Sequence, residues 1–283
     1  MSEEATKTPE SQQTVAIVVP HYRAGLTADE EVSLRQLTHF LGGYDKYLVL
    51  PDGLQFELPG FGARRFREEF FHSTATYSAL LLSAEFYRAF AGYDYLLIYQ
   101  LDALVFSDQL REWCSAGLDY VGAPWLPGEG ASFVREPAVG NGGFSLRRVE
   151  SFLKVIGAPG FDAELDKYRD ALAASGPAYV RLLDLPRKAL RRLRLFGADA
   201  QSILDAARNP ADPGERLNED CFWSFRARRY DPGFRIASVD EALRFSFELN
   251  PRRCYELNGR RLPFGCHAWN KYDREFWEPF LLK

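Results

Sequence analysis

The sequence predicts an α/β fold: a mostly parallel central sheet flanked by helices. Three stretches carry that expectation. Residues 15–19 (Val-Ala-Ile-Val-Val) form an all-apolar strand that stops at Pro20. A helix follows, and then a second strand at 47–50 (Tyr-Leu-Val-Leu) ends at Pro51-Asp52-Gly53. Strand, helix, strand in this rhythm opens a parallel sheet. The third is residues 95–106, Tyr-Leu-Leu-Ile-Tyr-Gln-Leu-Asp-Ala-Leu-Val-Phe. Its near-continuous apolar character reads as a strand buried on both faces, in the middle of the sheet.

Within that central run only Gln100 and Asp102 are polar. Burying a carboxylate costs several kcal/mol unless something binds it. At the carboxyl end of a parallel strand, where the crevice of such sheets lies, the partner is a ligand or a cation. Alternatively, Asp102 opens a turn and caps the next helix.

Composition narrows the class. The 283 residues are 46% apolar and 26% charged, as in an ordinary soluble protein with a sizeable core. A net charge of −4 argues against a nucleic-acid partner, which would leave a basic footprint. Cys114, Cys221, Cys254 and Cys266 show no CxxC or Cys/His metal spacing, so a reduced, cytoplasmic setting is expected. Residues 1–13 are polar and without an apolar core, and are expected to be a disordered leader, not a signal peptide. No apolar stretch is long enough to span a membrane.

In chain order, Thr27 with Glu30 three residues later predicts a capping box. The helix it opens shows Leu34, Leu37 and Leu41 on one face and ends at Gly42-Gly43. Residues 54–72 read as irregular, and 73–90 as one long helix with Tyr77, Leu80, Leu81, Ala84 and Tyr87 on one face. A short helix at 109–115 and a strand at 120–123 follow. The segment 140–147 (Gly-Asn-Gly-Gly-Phe-Ser-Leu-Arg) is expected to lead from a loop into a helix near Arg147. Residues 157–217 are expected to be a helical insertion that breaks the alternation. After them come a helix at 221–227 and a strand-like region at 235–247. No linker divides the chain, so residues 14–283 are expected to form one domain.

Polar clusters stand at three predicted strand ends: Pro20-His21-Tyr22-Arg23, Asp52, and Gln100 with Asp102. In an open α/β sheet such ends converge on one crevice. The loop Asn141-Gly142-Gly143 and the pair Glu219-Asp220 would supply further walls. Each has a plain structural alternative: a helix cap for the acids, a turn for the glycines, a packing role for His267. The loop after the first strand has neither GxxxxGK[ST] nor GxGxxG, which excludes P-loop and dinucleotide readings. There is no GxSxG elbow of an α/β-hydrolase. Leu104 stands where a phosphoaspartate phosphatase would need a second Asp.

In this order the residues resemble a glycosyltransferase of the GT-A type. Gln100-Leu101-Asp102 matches the metal-binding Asp-x-Asp at the end of a central strand. Residues 140–147 match the glycine loop, Asn218-Glu219-Asp220 the x-Glu-Asp with the catalytic base, and His267 the C-terminal metal ligand. The core around 97–103 and the segment 140–147 are similar to a family of uncharacterised bacterial and fungal glycosyltransferase-like domains. The resemblance runs from Val15 to Trp269 and is weakest over 157–217.

That resemblance implies transfer of a sugar from a nucleotide-diphosphate donor to a hydroxyl of a saccharide or lipid-linked glycan, within polysaccharide biosynthesis. It implies an Mn²⁺ or Mg²⁺ ion held by Asp102 and His267, and Asp220 as base with Glu219 as second choice and inversion at the anomeric carbon. Pro20, His21, Tyr22 and Arg23 would contact the nucleotide, with Tyr22 stacking on the base and Asp52 binding base or ribose. Gln100 would position ribose or diphosphate, and Asn141, Gly142 and Gly143 would let backbone approach the donor sugar. Gln100 departs from the usual acid, so one carboxylate alone is available to a metal at this motif. An Arg or Lys clamp on the diphosphate is the metal-independent alternative. A nucleotide-sugar binding module without activity and a sugar nucleotidyltransferase are the rival readings. The basic stretch 181–194 is a solvated helix face or a contact with the inner face of an anionic membrane.

Overall fold

The structure, a computed structural model, describes residues 13–128, 131–163, 165–166 and 218–282. The expected leader (but for Gln13), most of the expected insertion and the basic stretch 181–194 lie outside the described residues.

The architecture is mixed α/β, with a six-stranded, mostly parallel sheet between helices. β1 (Val15–Pro20) leads through α1 (Ala28–Leu41) to β2 (Asp45–Pro51) and then β3 (Gly62–Phe66). α2 (Thr74–Leu81) and α3 (Ala84–Arg88) precede the central β4 (Tyr95–Tyr99). After β5 (Leu104–Val105), α4 (Leu110–Ser115) and β6 (Tyr120–Val121), the short pair β7 (Pro124–Trp125) and β8 (Ala138–Val139) leads to β9 (Phe144–Arg148) and α5 (Val149–Ile156). The described chain resumes with α6 (Glu219–Phe225), α7 (Ala227–Tyr230), α8 (Val239–Phe245), β10 (Ser246–Phe247), α9 (Pro251–Leu257), β11 (Gly265–Cys266) and α10 (Arg274–Trp277).

The main sheet has the order β3-β2-β1-β4-β9-β6. β1, β2, β3 and β4 run parallel, with Val15 opposite Tyr95 and Val18 opposite Ile98. β9 runs antiparallel to both neighbours, with Tyr99 opposite Phe144. Successive strand side chains point to opposite faces. Val15, Ile17, Val19, Leu97 and Tyr99 therefore pack with Leu37 and Leu41 of α1 on one side. Ala16, Val18, Leu96 and Ile98 pack with Phe86, Tyr87, Phe152 and Trp223 on the other. Burial on both faces is why the strands are apolar throughout.

Local signals hold at α1. Thr27 accepts from the Glu30 amide, Glu30 accepts from the Thr27 amide, and Gly42 caps the other end. Elsewhere the chain departs from expectation. The helix expected over 73–90 is two helices, because Ser83 donates to the Leu80 carbonyl and caps Phe86, restarting the turn. β3 lies within the stretch expected to be irregular, an edge strand carrying Arg64 and Arg65. The strand at 120–123 stops at Val121. The segment after Gly143 is a sheet strand, not a helix start, and the helix begins at Val149. Most of the strand-like region 235–247 is α8, opened by a capping box of Ser238 with Glu241.

All four cysteines are buried and none is in a disulfide. Among the described residues no helix is long and apolar enough to cross a membrane.

Candidate active site

A crevice of about 730 Å³ opens at the carboxyl ends of β1 and β4. Pro20, His21, Tyr22 and Arg23 line one wall and Gln100 and Asp102 another, with Tyr77 of α2 and Lys271 completing it. A larger cavity of about 890 Å³ lies between α3 and α5, lined by Arg67, Phe70, Arg88 and Phe161 among others. It holds none of the residues singled out above, so the crevice is the better candidate on chemistry.

The first wall is fixed by the end of β1. The His21 amide donates to the Val49 carbonyl (2.9 Å), extending the ladder by one residue. The His21 ring packs 4.2 Å from Phe56, and burial lowers its pKa, so the ring is held neutral. Its Nε2 is buried without a hydrogen-bond partner. Tyr22 is 60% exposed, an unusual setting for a large aromatic, with the Arg23 guanidinium 5.3 Å from its ring centre. Arg23 pairs in turn with Glu30, the residue that closes the α1 capping box.

The second wall follows from the end of β4. The Gln100 amide donates to the Gly143 carbonyl (2.8 Å), and the Ala103 amide closes a turn on the Gln100 carbonyl (2.8 Å). That turn presents Asp102, whose carbonyl accepts from the Trp269 amide (3.1 Å). Asp102 Oδ1 is buried, and its partner is His267 Nε2, 3.2 Å away.

His267 is the hub. Its Nε2 faces Asp102 Oδ1 (3.2 Å) and Gln100 Oε1 (3.1 Å), and its Nδ1 faces Glu248 Oε1 (2.9 Å) and Asn141 Nδ2 (3.0 Å). Burial works against a charged ring, but the Asp102 and Glu248 carboxylates outweigh it and raise the pKa to about 10. Burial likewise works against the charged Asp102, and the His267 charge overrides it, holding the carboxyl below its usual range. A metal bound here would have to displace the Nε2 proton, as ligation requires a neutral imidazole.

Asn141 sits at φ 77°, a left-handed conformation open to Asn at modest cost. Its Oδ1 accepts from the Gly143 and Phe144 amides (2.9 and 3.0 Å), leaving its amide nitrogen toward His267. The glycines beside it make room for side chains. A Cβ at Gly142 would stand 2.1 Å from Glu219 Oε1, and one at Gly143 would stand 2.0 Å from His267 Nε2.

Glu219 and Asp220 open α6 and have different surroundings. Both Glu219 oxygens are taken by Arg147 of β9, at 2.9 and 3.1 Å. Arg147 is fully buried, also donating to Ser145 Oγ and Tyr87 Oη, so the pair is fully hydrogen-bonded inside the fold. Asp220 is partly exposed and accepts from the Cys221 amide (2.8 Å). Burial, followed by the charges of Glu219 and Glu248, pushes its carboxyl up to about 7. A carboxylate poised near neutrality can take a proton at working pH.

The structure thus joins Gln100, Asp102, Asn141, Gly143 and His267 by direct contact. Pro20, His21, Tyr22 and Arg23 share the crevice with Gln100 and Asp102. Gly142 and Glu219 lie against the Arg147 pair, and Asp220 connects to His267 through the charge of Glu248. Asp52 stands apart: it is exposed at the end of β2, its amide on the Phe66 carbonyl (2.9 Å), and is not part of the crevice wall.

Four contributors were not singled out from sequence. Glu248 follows β10 and orients His267, and Lys271 brings an ammonium under the charges of Glu248 and Asp102. The Tyr77 hydroxyl meets Gln100, and Arg147 occupies Glu219. Glu248, Lys271 and Tyr77 belong to no short motif, and Arg147 ends the 140–147 segment, where it reads as a helix start. Asp102 and His267 are the side chains that could share a cation. Among the described residues no group of three or more His, Cys, Asp or Glu is arranged to hold one.

A family model described as a protein of unknown function (DUF5672) matches residues 60–267. No curated protein sequence matches the chain. Among solved structures, the chain is similar to a glycosyltransferase involved in glycosylation of the major capsid of the virus PBCV-1, at 10% identity and TM-score 0.42, covering 94% of this chain and 98% of that one. It is also similar to the glycosyltransferase GlyE of Streptococcus pneumoniae, at 13% identity and TM-score 0.43, with 95% of this chain covered but 60% of that one. A third is the mannosyltransferase Ktr4p of S. cerevisiae, at 11% identity and TM-score 0.37, covering 63% and 68% of the two chains.

Proposed function

The chain belongs to the DUF5672 family, and from its site we propose that it is a GT-A-type glycosyltransferase using a nucleotide-diphosphate sugar. One observation carries the reading. His21, whose buried Nε2 has no hydrogen-bond partner, and Asp102, ion-paired with His267 at 3.2 Å, line one crevice at the strand ends. An unsatisfied buried group such as His21 Nε2 is costly and rare, and a polar ligand in the crevice would relieve it.

In this reading the nucleotide lies along Pro20–Arg23. Tyr22 offers an exposed face for base stacking, and Arg23 a charge that can leave Glu30 for phosphate. Asp52 lies off the crevice wall and would reach a base or ribose from the rim. The diphosphate faces Asp102, His267 and Lys271. Asp102 and His267 would hold a divalent cation, which when bound stabilises negative charge on the leaving diphosphate. Lys271 and Arg23 add fixed positive charge on the same walls.

The acceptor hydroxyl gives its proton to Asp220 as its oxygen bonds to the anomeric carbon. The bond from that carbon to the diphosphate oxygen breaks, and the nucleotide leaves with the electron pair. Attack opposite the leaving group inverts the centre. Glu219, tied to Arg147, keeps a negative charge beside Asp220 and so raises its affinity for the proton. Gln100 and Glu248 hold His267 in place.

The test is a panel of nucleotide sugars screened by thermal shift with and without Mn²⁺, followed by hydrolysis and transfer assays. Asp102→Ala should weaken donor binding, and Asp220→Asn should keep binding while losing transfer. A donor that binds and is never turned over would mark a binding module. Release of pyrophosphate from a nucleoside triphosphate and a sugar phosphate would mark a nucleotidyltransferase. Full turnover by both variants would refute the site.

A further inference from the structure

Beside the crevice lies a second cavity of about 570 Å³, and Lys271 belongs to both. Among the described residues its charged lining is lopsided: Arg252, Arg253 and Lys271 against the carboxylate of Asp273. That carboxylate is already taken, since Arg252 grips both of its oxygens at 2.5 and 3.0 Å. Arg253 donates to the Pro127 carbonyl (3.1 Å), a neutral partner that fixes the guanidinium without cancelling its charge. The Lys271 ammonium sits 4.8 Å over the Tyr272 ring. With Arg252 held by Asp273 and Lys271 under the charges of Glu248 and Asp102, Arg253 is the lining cation that faces a neutral partner among the described residues.

Its position matters as much as its charge. Tyr272 packs against the cluster containing Cys221 and Leu249, neighbours in sequence of Asp220 and Glu248. The cavity adjoins the crevice through Lys271, and its Tyr272 packs in the cluster of Cys221, the residue after the candidate base. An acceptor must lie between the crevice and that base. A guanidinium reads carboxylate or phosphate through paired N–H groups, and an aromatic ring offers a flat face to a sugar.

We infer that this cavity is the acceptor subsite and that the acceptor is an anionic saccharide, bearing a carboxylate or a phosphate that Arg253 and Lys271 engage. The inference rests on the transferase reading for the word acceptor, but the anion-binding site stands or falls by itself.

The experiment is direct binding by calorimetry of three probes: methyl glucoside, methyl glucuronide and glucose 6-phosphate, without nucleotide. The glucuronide or the phosphate should bind at least ten-fold more tightly than the glucoside and weaken as salt is raised. Whichever is preferred names the anion. Arg253→Ala should cost the preferred probe about ten-fold or more, and Arg253→Lys should recover part of it. Since Arg253 is exposed, an unchanged melting temperature will show that the fold survives. Equal binding of all three probes, or an unaltered affinity in Arg253→Ala, overturns the inference. An anionic sugar that binds through Arg253 to a protein that turns over no nucleotide sugar would keep the subsite and remove the transferase.

Discussion

Replacing Asp220 by Asn should make the protein more stable above neutral pH and leave it unable to transfer. Moving this carboxyl from 3.8 in the unfolded chain to about 7 in the fold costs ~4 kcal/mol of stability at high pH, at about 1.4 kcal/mol per pH unit. Its partial exposure reduces that to ~2–3 kcal/mol. The sign follows from proton binding: between these two values the folded state holds the proton and the unfolded state does not. The penalty is therefore absent below about pH 4, grows as pH rises, and is complete above about pH 8. Asn cannot ionise, and its carbonyl can still accept from the Cys221 amide as Asp220 Oδ1 does. Thermal melts of both proteins at pH 4.5 and pH 8 should nearly coincide at the lower pH. At the higher pH the variant should gain roughly 5 °C, taking about 2 °C per kcal/mol for a chain of this size. A gain that is equal at the two pH values, or a loss at pH 8, would refute the claim that Asp220 is held as a strained, proton-hungry acid.

Glu219→Ala should lower stability by about 3–5 kcal/mol in urea unfolding, because it strands the buried Arg147 charge; the Arg147→Met/Glu219→Leu pair should recover much of that loss. Gly143→Ala should displace the His267 ring, whose Nε2 lies where the new Cβ would stand, and reduce donor affinity at least ten-fold in calorimetry. Tyr22→Ala should leave the melting temperature within about 1 °C, since the side chain is 60% exposed, while weakening nucleotide binding about ten-fold, of the order expected from losing one base–aromatic stack.

Much of the scaffold was legible because its signals are local. The capping box at Thr27 and Glu30, the proline and glycine stops, and the double-sided apolarity of β1 and β4 all lie within a few residues. β9 was not legible for the opposite reason. Phe-Ser-Leu-Arg-Arg carries two cations, and Arg147 is tolerable on a buried strand because Glu219, 72 residues later, meets it. β3 was hidden because an edge strand needs no apolar alternation and here carries Arg64 and Arg65. The restart at Ser83 was missed because the apolar spacing of 73–90 runs straight through it. At 235–247 Ser238 and Glu241 announce a helix, and the β-rich composition around them masks it.

The site divides in the same way. Gln100 and Asp102 stand out at a strand end and His267 through the resemblance alone, and the structure brings the three into contact. Glu248 and Lys271 act through space on residues far off in sequence, so no spacing announces them.

The reversed polarity of β9 has a constructional consequence. In a wholly parallel sheet, only loops that leave strands reach the crevice, and every loop that enters one emerges at the far edge. By running backwards beside β4, β9 brings its entry loop to the exit side, where Gly143 meets Gln100 and Asn141 meets His267. The crevice is thereby furnished from both kinds of connection. The entry loop is also tied to the strand end beside it: Gly143 is bonded to Gln100 and packs against His267, so a change in that loop is transmitted to Asp102.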